Sequence, residues 1–186
     1  FKEKNYETFI FLMLQIFDFR MNMALDTKQF SIFEKADSWL DITKRDLKLF
    51  TAKEIEGVSL RIEINKGLVY LLSEEYERSY KQFASIPIHE NISLEHKYYI
   101  KLFELISYRL HHQGFQYKVF EKGLGYLATV KYNGSNYSKQ FIRLLNENID
   151  GKHLLKQGKE FLTKHSPTTT YDKVLQYWLI QIQPKK

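Results

Sequence analysis

Six histidines, His89, His96, His111, His112, His153 and His165, are the first residues to weigh for metal binding or proton transfer. None falls in an HExxH or other metal-ligating spacing. His89 and His96 are seven residues apart across a predicted loop-to-helix junction, which does not aim two rings at one point. His111 and His112 are adjacent near a predicted helix end, so they project to different sides. The helix C-terminus there favours the protonated form. We read all six as surface or capping residues. Acidic residues cluster at Glu54/Glu56 and at Glu74/Glu75/Glu77. On a helix the first two do not face each other, and the second group suits a helix start. Glycoside hydrolysis would need two carboxylates across a cleft, which this spacing does not indicate. Gly123-Leu124-Gly125 and Tyr132-Asn133-Gly134-Ser135-Asn136 are followed by no GKS or GKT, and no GxGxxG is present. Ser135 and Ser138 lack a nucleophile context. With no cysteine, thiolate clusters, disulfides and cysteine nucleophiles are excluded. The expectation is a protein that is not an enzyme and uses neither cofactor nor metal.

Binding chemistry is better represented. Residues 1–93 hold 13 Lys/Arg against 15 Asp/Glu, whereas residues 94–186 hold 15 against 7. The basic excess gathers in Lys131, Lys139, Arg143, Lys152, Lys156, Lys159 and Lys164, with Tyr132 and Tyr137 among them. Lys152, Lys156 and Lys159 stand at i, i+4 and i+7, so they form a stripe on one helix face. Such a stripe could meet an anionic partner, either phosphates or an acidic peptide, or be a solvated face. The basic half holds only two arginines, and lysine is the poorer residue for bidentate recognition. No helix-turn-helix or zinc-finger spacing accompanies it. A nucleic-acid-associated regulatory module is therefore the second reading of the function.

The elements that would position these groups are helical. Pro occurs only 3 times and Gly 8 times in 186 residues, so long helices are favoured over a sheet with many tight turns. An apolar fraction of 44 % is enough for a real core. The predicted helices cover about 5–24, 28–40, 52–72, 74–84, 94–112, 115–129, 137–146, 152–164 and 171–182. Asp41 to Arg45 reads as a polar interval. Ser73 reads as the start of helix 74–84, which Pro87 ends. Ser93 caps the next helix, and Asn133-Gly134-Ser135-Asn136 is the strongest turn. The alternating run Gly114 to Phe120 leaves a local hairpin or small sheet open as an alternative. In the first helix Phe9, Leu12, Ile16 and Phe19 recur at helical spacing, and Met13, Phe17 and Met21 widen the stripe. We read the run FIFLMLQIF, residues 9–17, as a buried face. It is too short to span a bilayer, and Asp18 and Arg20 follow it. It also lacks the flanks of a signal peptide. The chain opens on Phe1, which points to an excised domain or a processed product. The whole reads as one helical domain, with a weaker boundary near 131–136 and a linker plus capping helix over 166–186.

Within residues 60–87, Gly67 and Tyr70 on one predicted helix and Tyr76, Ser79 and Phe83 on the next set small and aromatic residues in a spacing that resembles a tetratricopeptide repeat. Gly67 takes the small position of the first helix and Tyr70 its aromatic position. Tyr76, Ser79 and Phe83 take the aromatic, small and aromatic positions of the second helix. A missing side chain at Gly67 and a small one at Ser79 let two helices approach closely. Tyr70, Tyr76 and Phe83 can then fill the space toward the next hairpin. Pro87 falls earlier than the closing proline of that family, and Glu63 stands in the region of its early aromatic. Hairpins elsewhere match less well: Arg20 sits where a small residue is expected, and the hairpin spacing is longer than in a regular array.

The resemblance implies an all-α, right-handed superhelix of antiparallel helical hairpins. It also implies a protein-interaction or scaffold module that holds a peptide or partner domain in a concave groove. Arg61, Asn65 and Tyr70 from the matched helix, with Lys101, Glu104 and Tyr108 from the next, are the candidate groove residues. Expected partners are a protein or peptide, a second copy of the chain, or a neighbouring domain. Nucleic acid ranks behind these, and no membrane span is expected. Cysteine-free composition fits a reducing, cytoplasmic setting.

Overall fold

The computed structural model describes residues 2–29, 33, 35–46, 52–111, 117–129, 135–147 and 154–181. Among them the chain is all α, with no strand. Its helices are α1 (Lys2–Thr27), α2 (Ala36–Asp46), α3 (Ala52–Leu72), α4 (Tyr76–Ser85), α5 (Leu94–His111), α6 (Tyr117–Thr129), α7 (Asn136–Glu147), α8 (Leu154–Lys164) and α9 (Thr170–Gln181). From α2 to α8, each packs mainly on a neighbour in sequence, as short connections require, while α1 packs mainly on α9. Helix α9 returns to α1 as well as to α7.

The α3–α4 hairpin is built as its residues suggest. Ser79 is fully buried, and its hydroxyl donates to the carbonyl of Gly67 at 2.9 Å. A Cβ on Gly67 would lie 2.6 Å from the Phe83 ring, so the glycine is what admits that ring between the helices. Phe83 in turn stacks on Phe103 of α5, centroids 5.7 Å apart. Tyr70 is buried beneath Arg78, whose guanidinium lies 4.1 Å from its ring centroid. Tyr76 is half-buried against the core.

Several boundaries differ from the sequence expectation. Ser73 does not start α4. It lies in the turn that closes α3, where the N–H of Glu75 donates to Tyr70 and that of Glu74 to Leu71. Glu74 takes the left-handed conformation there, φ 63°, as a Schellman closure requires. The helix expected over 28–40 begins instead at Ala36, and the polar interval Asp41 to Arg45 lies inside it. Its charges are used laterally, because Asp41 pairs with Lys66 and Lys44 with Glu63, both on α3. Leu40 and Thr43 turn inward, and Trp39 stacks on Phe17. Of the run left open as a strand, residues 117–120 are helical and 114–116 lie outside the described residues.

The largest difference concerns α1. Leu14, Phe17, Met21 and Ala24 enter the core, whereas Leu12, Ile16 and Phe19 are exposed. Apolar residues occur on both sides of this helix, so periodicity alone selects no face. The pattern expected to be buried is largely the outer one.

Candidate functional site

In a regular array of hairpins the side formed by α1, α3, α5 and α7 would be the inner surface. Here α9 lies across much of it. Tyr171 packs on Tyr99 and Phe103 of α5, and Trp178 packs on Phe141 of α7. Asn22 of α1 donates to the Thr170 hydroxyl, Lys173 pairs with Asp26, and Gln181 reaches Glu74. The start of α9 is held by Asp172, which is fully buried. Its carboxylate accepts from Tyr99 Oη, Ser135 Oγ, Thr168 N, Thr168 Oγ1 and Thr169 N. Five donors and the helix N-terminus together stabilise that charge without a cation.

What remains open on this side is a recess of about 440 Å³ between α1, α3, α5 and the segment leading into α9. Arg61 and Asp18 form an ion pair at its wall. Asn65, one turn along α3 from Arg61, is 3 % exposed. Its Nδ2 has no hydrogen-bond partner among the described residues. Glu95 and His96 line the α5 side, and Thr169, Thr170 and Tyr171 the α9 side. Burial lowers the His96 pKa, Glu95 raises it, and Arg61 lowers it further. The imidazole is thus biased toward its neutral form, able to donate or accept. The recess thus brings together one cation, two carboxylates and a buried amide donor.

The candidate residues from the sequence do not form one groove. Arg61 and Asn65 meet in this recess. Lys101, Glu104 and Tyr108 line a separate depression of about 730 Å³ with Tyr80, Val119, Lys122 and Tyr126. Lys101 and Glu104 are paired with each other there. Tyr70 lines neither, being engaged with Arg78 inside the α3–α4 hairpin. A larger hollow of about 820 Å³ lies beyond Gly57 and His96, against the loop 86–93. It holds no comparable buried, unpartnered donor. Sequence reading missed Asp18, His96 and Thr169 to Tyr171 as members of the recess. Their positions are far apart in the chain, and nothing local marks them.

The basic stripe is also altered in context. Lys152 lies outside the described residues. Lys156 and Lys159 are exposed. Lys156 lines an α7–α8 cleft that also holds Glu147 and Glu160. Arg143 pairs with Glu147 there and Lys164 with Glu160. Among the described residues no group of three or more His, Asp or Glu side chains could hold a metal ion. No helix among the described residues is long and apolar enough to cross a membrane. Comparison with known proteins finds no matching family model, no matching curated protein and no matching solved structure.

Proposed function

We propose that this chain acts by binding, not by catalysis, as a tetratricopeptide-like interaction module. Its site is the recess at Arg61 and Asn65, and its ligand a peptide or a segment of a partner protein. The observation that carries this reading is the buried, unpartnered amide of Asn65 beside the Arg61–Asp18 pair. Leaving a buried donor unsatisfied costs ~1–3 kcal/mol, and because Asn65 Nδ2 is sealed from solvent in the free chain, a ligand carbonyl or carboxylate would remove that cost by opening the recess wall at Asn65. A peptide offers such acceptors along its backbone and at its C-terminus, with amide and amino donors for Asp18 and Glu95. The right-handed superhelix belongs to the same proposal. It is supported by the close Gly67–Phe83 and Ser79–Gly67 contacts, which are those the repeat pattern calls for.

The competing nucleic-acid reading is weakened by the carboxylates interleaved with Lys156 in the α7–α8 cleft. The two readings separate in one experiment. The chain, Asn65→Leu and Lys156→Gln/Lys159→Gln are compared for capture of proteins, of a short-peptide library and of mixed nucleic acid at two salt concentrations. Binding of a peptide or protein that survives moderate salt and is lost in Asn65→Leu is expected. Asn65→Leu should at the same time unfold at a higher temperature, because it removes an unsatisfied donor. Equal capture by the chain and Asn65→Leu, or salt-sensitive nucleic-acid binding lost in the lysine variant, would overturn the proposal.

A further inference from the structure

The outer side of α1 carries an apolar stripe left uncovered by the other described residues. Leu12, Ile16, Phe19 and Met23 are 52, 46, 64 and 48 % exposed, and Phe11 beside them 57 %. Their spacing of four, three and four residues is that of an a/d seam. The opposite side of the same helix, Leu14, Phe17, Met21 and Ala24, is already in the core. A helix that is apolar all round is normally buried all round.

We propose that α1 pairs with α1 of a second copy of this chain, antiparallel, about a two-fold axis passing between Ile16 and Phe19. Three observations select this occupant. An a/d seam is complemented by a helix with the same spacing, and a second copy supplies one. The area is also adequate. The four seam side chains at these exposures present on the order of 400 Å² of apolar surface, to which the flanking Met13 adds. A standard interface takes ~800 Å² from each partner, about 65 % of it apolar in homodimers. Finally, the pairing is self-complementary. Leu12 faces Met23 of the other copy, and the smaller Ile16 faces the larger Phe19, whereas a parallel pairing would set Phe19 against itself. Antiparallel helix dipoles favour the same arrangement. The flanking positions Met13, Gln15, Arg20 and Asn22 carry a single charge, so no like charges meet across the seam.

This interface lies on the face of α1 away from the recess, so it does not depend on the proposed peptide site. Light scattering and sedimentation of the chain should give the mass of a dimer. Phe19→Glu should raise the dissociation constant roughly 100-fold or more, because it places an unpaired carboxylate in an apolar seam. Its helical circular dichroism should be unchanged, since Phe19 is exposed within one chain. Ile16→Glu should behave alike and guards against an accident at one position. The absence of native cysteine makes the register directly testable. Leu12→Cys mixed with Met23→Cys should cross-link on mild oxidation, while Leu12→Cys alone should not. A monomer at all attainable concentrations, a dimer unaffected by both glutamates, or cross-linking of Leu12→Cys to itself would overturn the proposal. So would a monomer that uses the stripe to bind lipid vesicles.

Discussion

Replacing Gly67 by alanine tests the close approach of α3 and α4. Two effects of opposite sign compete. Within a helix interior, alanine is favoured over glycine by ~1 kcal/mol. At Gly67 the new Cβ would lie 2.6 to 2.9 Å from three atoms of the Phe83 ring. That ring is buried and stacked on Phe103, so it cannot swing into solvent. Overpacking of this kind costs ~1–3 kcal/mol, and a contact this short in a closed site belongs in the middle of that range. The expected balance is a net loss of ~1 kcal/mol. Gly57 lies in the same helix with nothing within 4 Å of its added Cβ. Gly57→Ala should therefore stabilise by up to ~1 kcal/mol. The two variants should differ by ~2 kcal/mol, or about 4–8 °C in Tm for a chain of this size. Urea and thermal unfolding followed by circular dichroism measure the difference. Adding Phe83→Leu should cost less in the Gly67→Ala background than in the parent, since the smaller side chain relieves the clash. If Gly67→Ala is as stabilising as Gly57→Ala, the close-approach argument is wrong.

Ser79→Ala removes a buried hydroxyl that bonds both the Gly67 carbonyl and, at 2.8 Å, the Ser107 hydroxyl. We expect a loss of ~1–2 kcal/mol, and a smaller additional loss for Ser107→Ala in that background; strict additivity in the double-mutant cycle would refute the link. Asp172→Ala should cost on the order of 3 kcal/mol, because five donors lose a charged acceptor, and limited proteolysis should show faster cutting near residues 166–169. Undiminished protease resistance would show that α9 is held by its aromatic contacts instead. Burial pushes the Tyr76 and Tyr171 phenols up to about 12 and raises those of Tyr98 and Tyr137. The folded chain then keeps protons that an unfolded chain releases near pH ~10. Stability should be insensitive to these groups below about pH 10 and fall above it, by up to ~1.4 kcal/mol per pH unit for each fully buried tyrosine. Urea midpoints and phenolate absorbance across that range check this; a midpoint that holds steady while absorbance rises would refute it.

The all-α class follows from few Pro and Gly residues and from helical periodicity, and most helix positions follow from local signals. Ser93 accepts from the His96 N–H and Ser135 from the Ser138 N–H, as expected of helix starts. Residue Ile86 is extended before Pro87, and α4 stops one residue earlier. Failures occurred where the deciding partner is distant. The segment Asp41 to Arg45 looks polar locally, yet it is helical, with Leu40 and Thr43 packed inward and its charges meeting Lys66 and Glu63 of α3. Only half of the recess was legible. Arg61 and Asn65 were found from one helix, but Asp18 and the residues before α9 reach the site through folding alone.

Composition and spacing by themselves determine that this chain makes helices, that one hairpin can close tightly at Gly67 and Ser79, and that no recognised catalytic motif is present. These properties depend on neighbours within a few turns. Tertiary structure decides which side of α1 is buried, that α9 returns to pack on α1, α5 and α7, and where an unpartnered amide meets an ion pair. Each of these is a choice between arrangements of the same local elements. A two-sided apolar helix such as α1 satisfies either choice, so the packing of the remaining chain makes the selection.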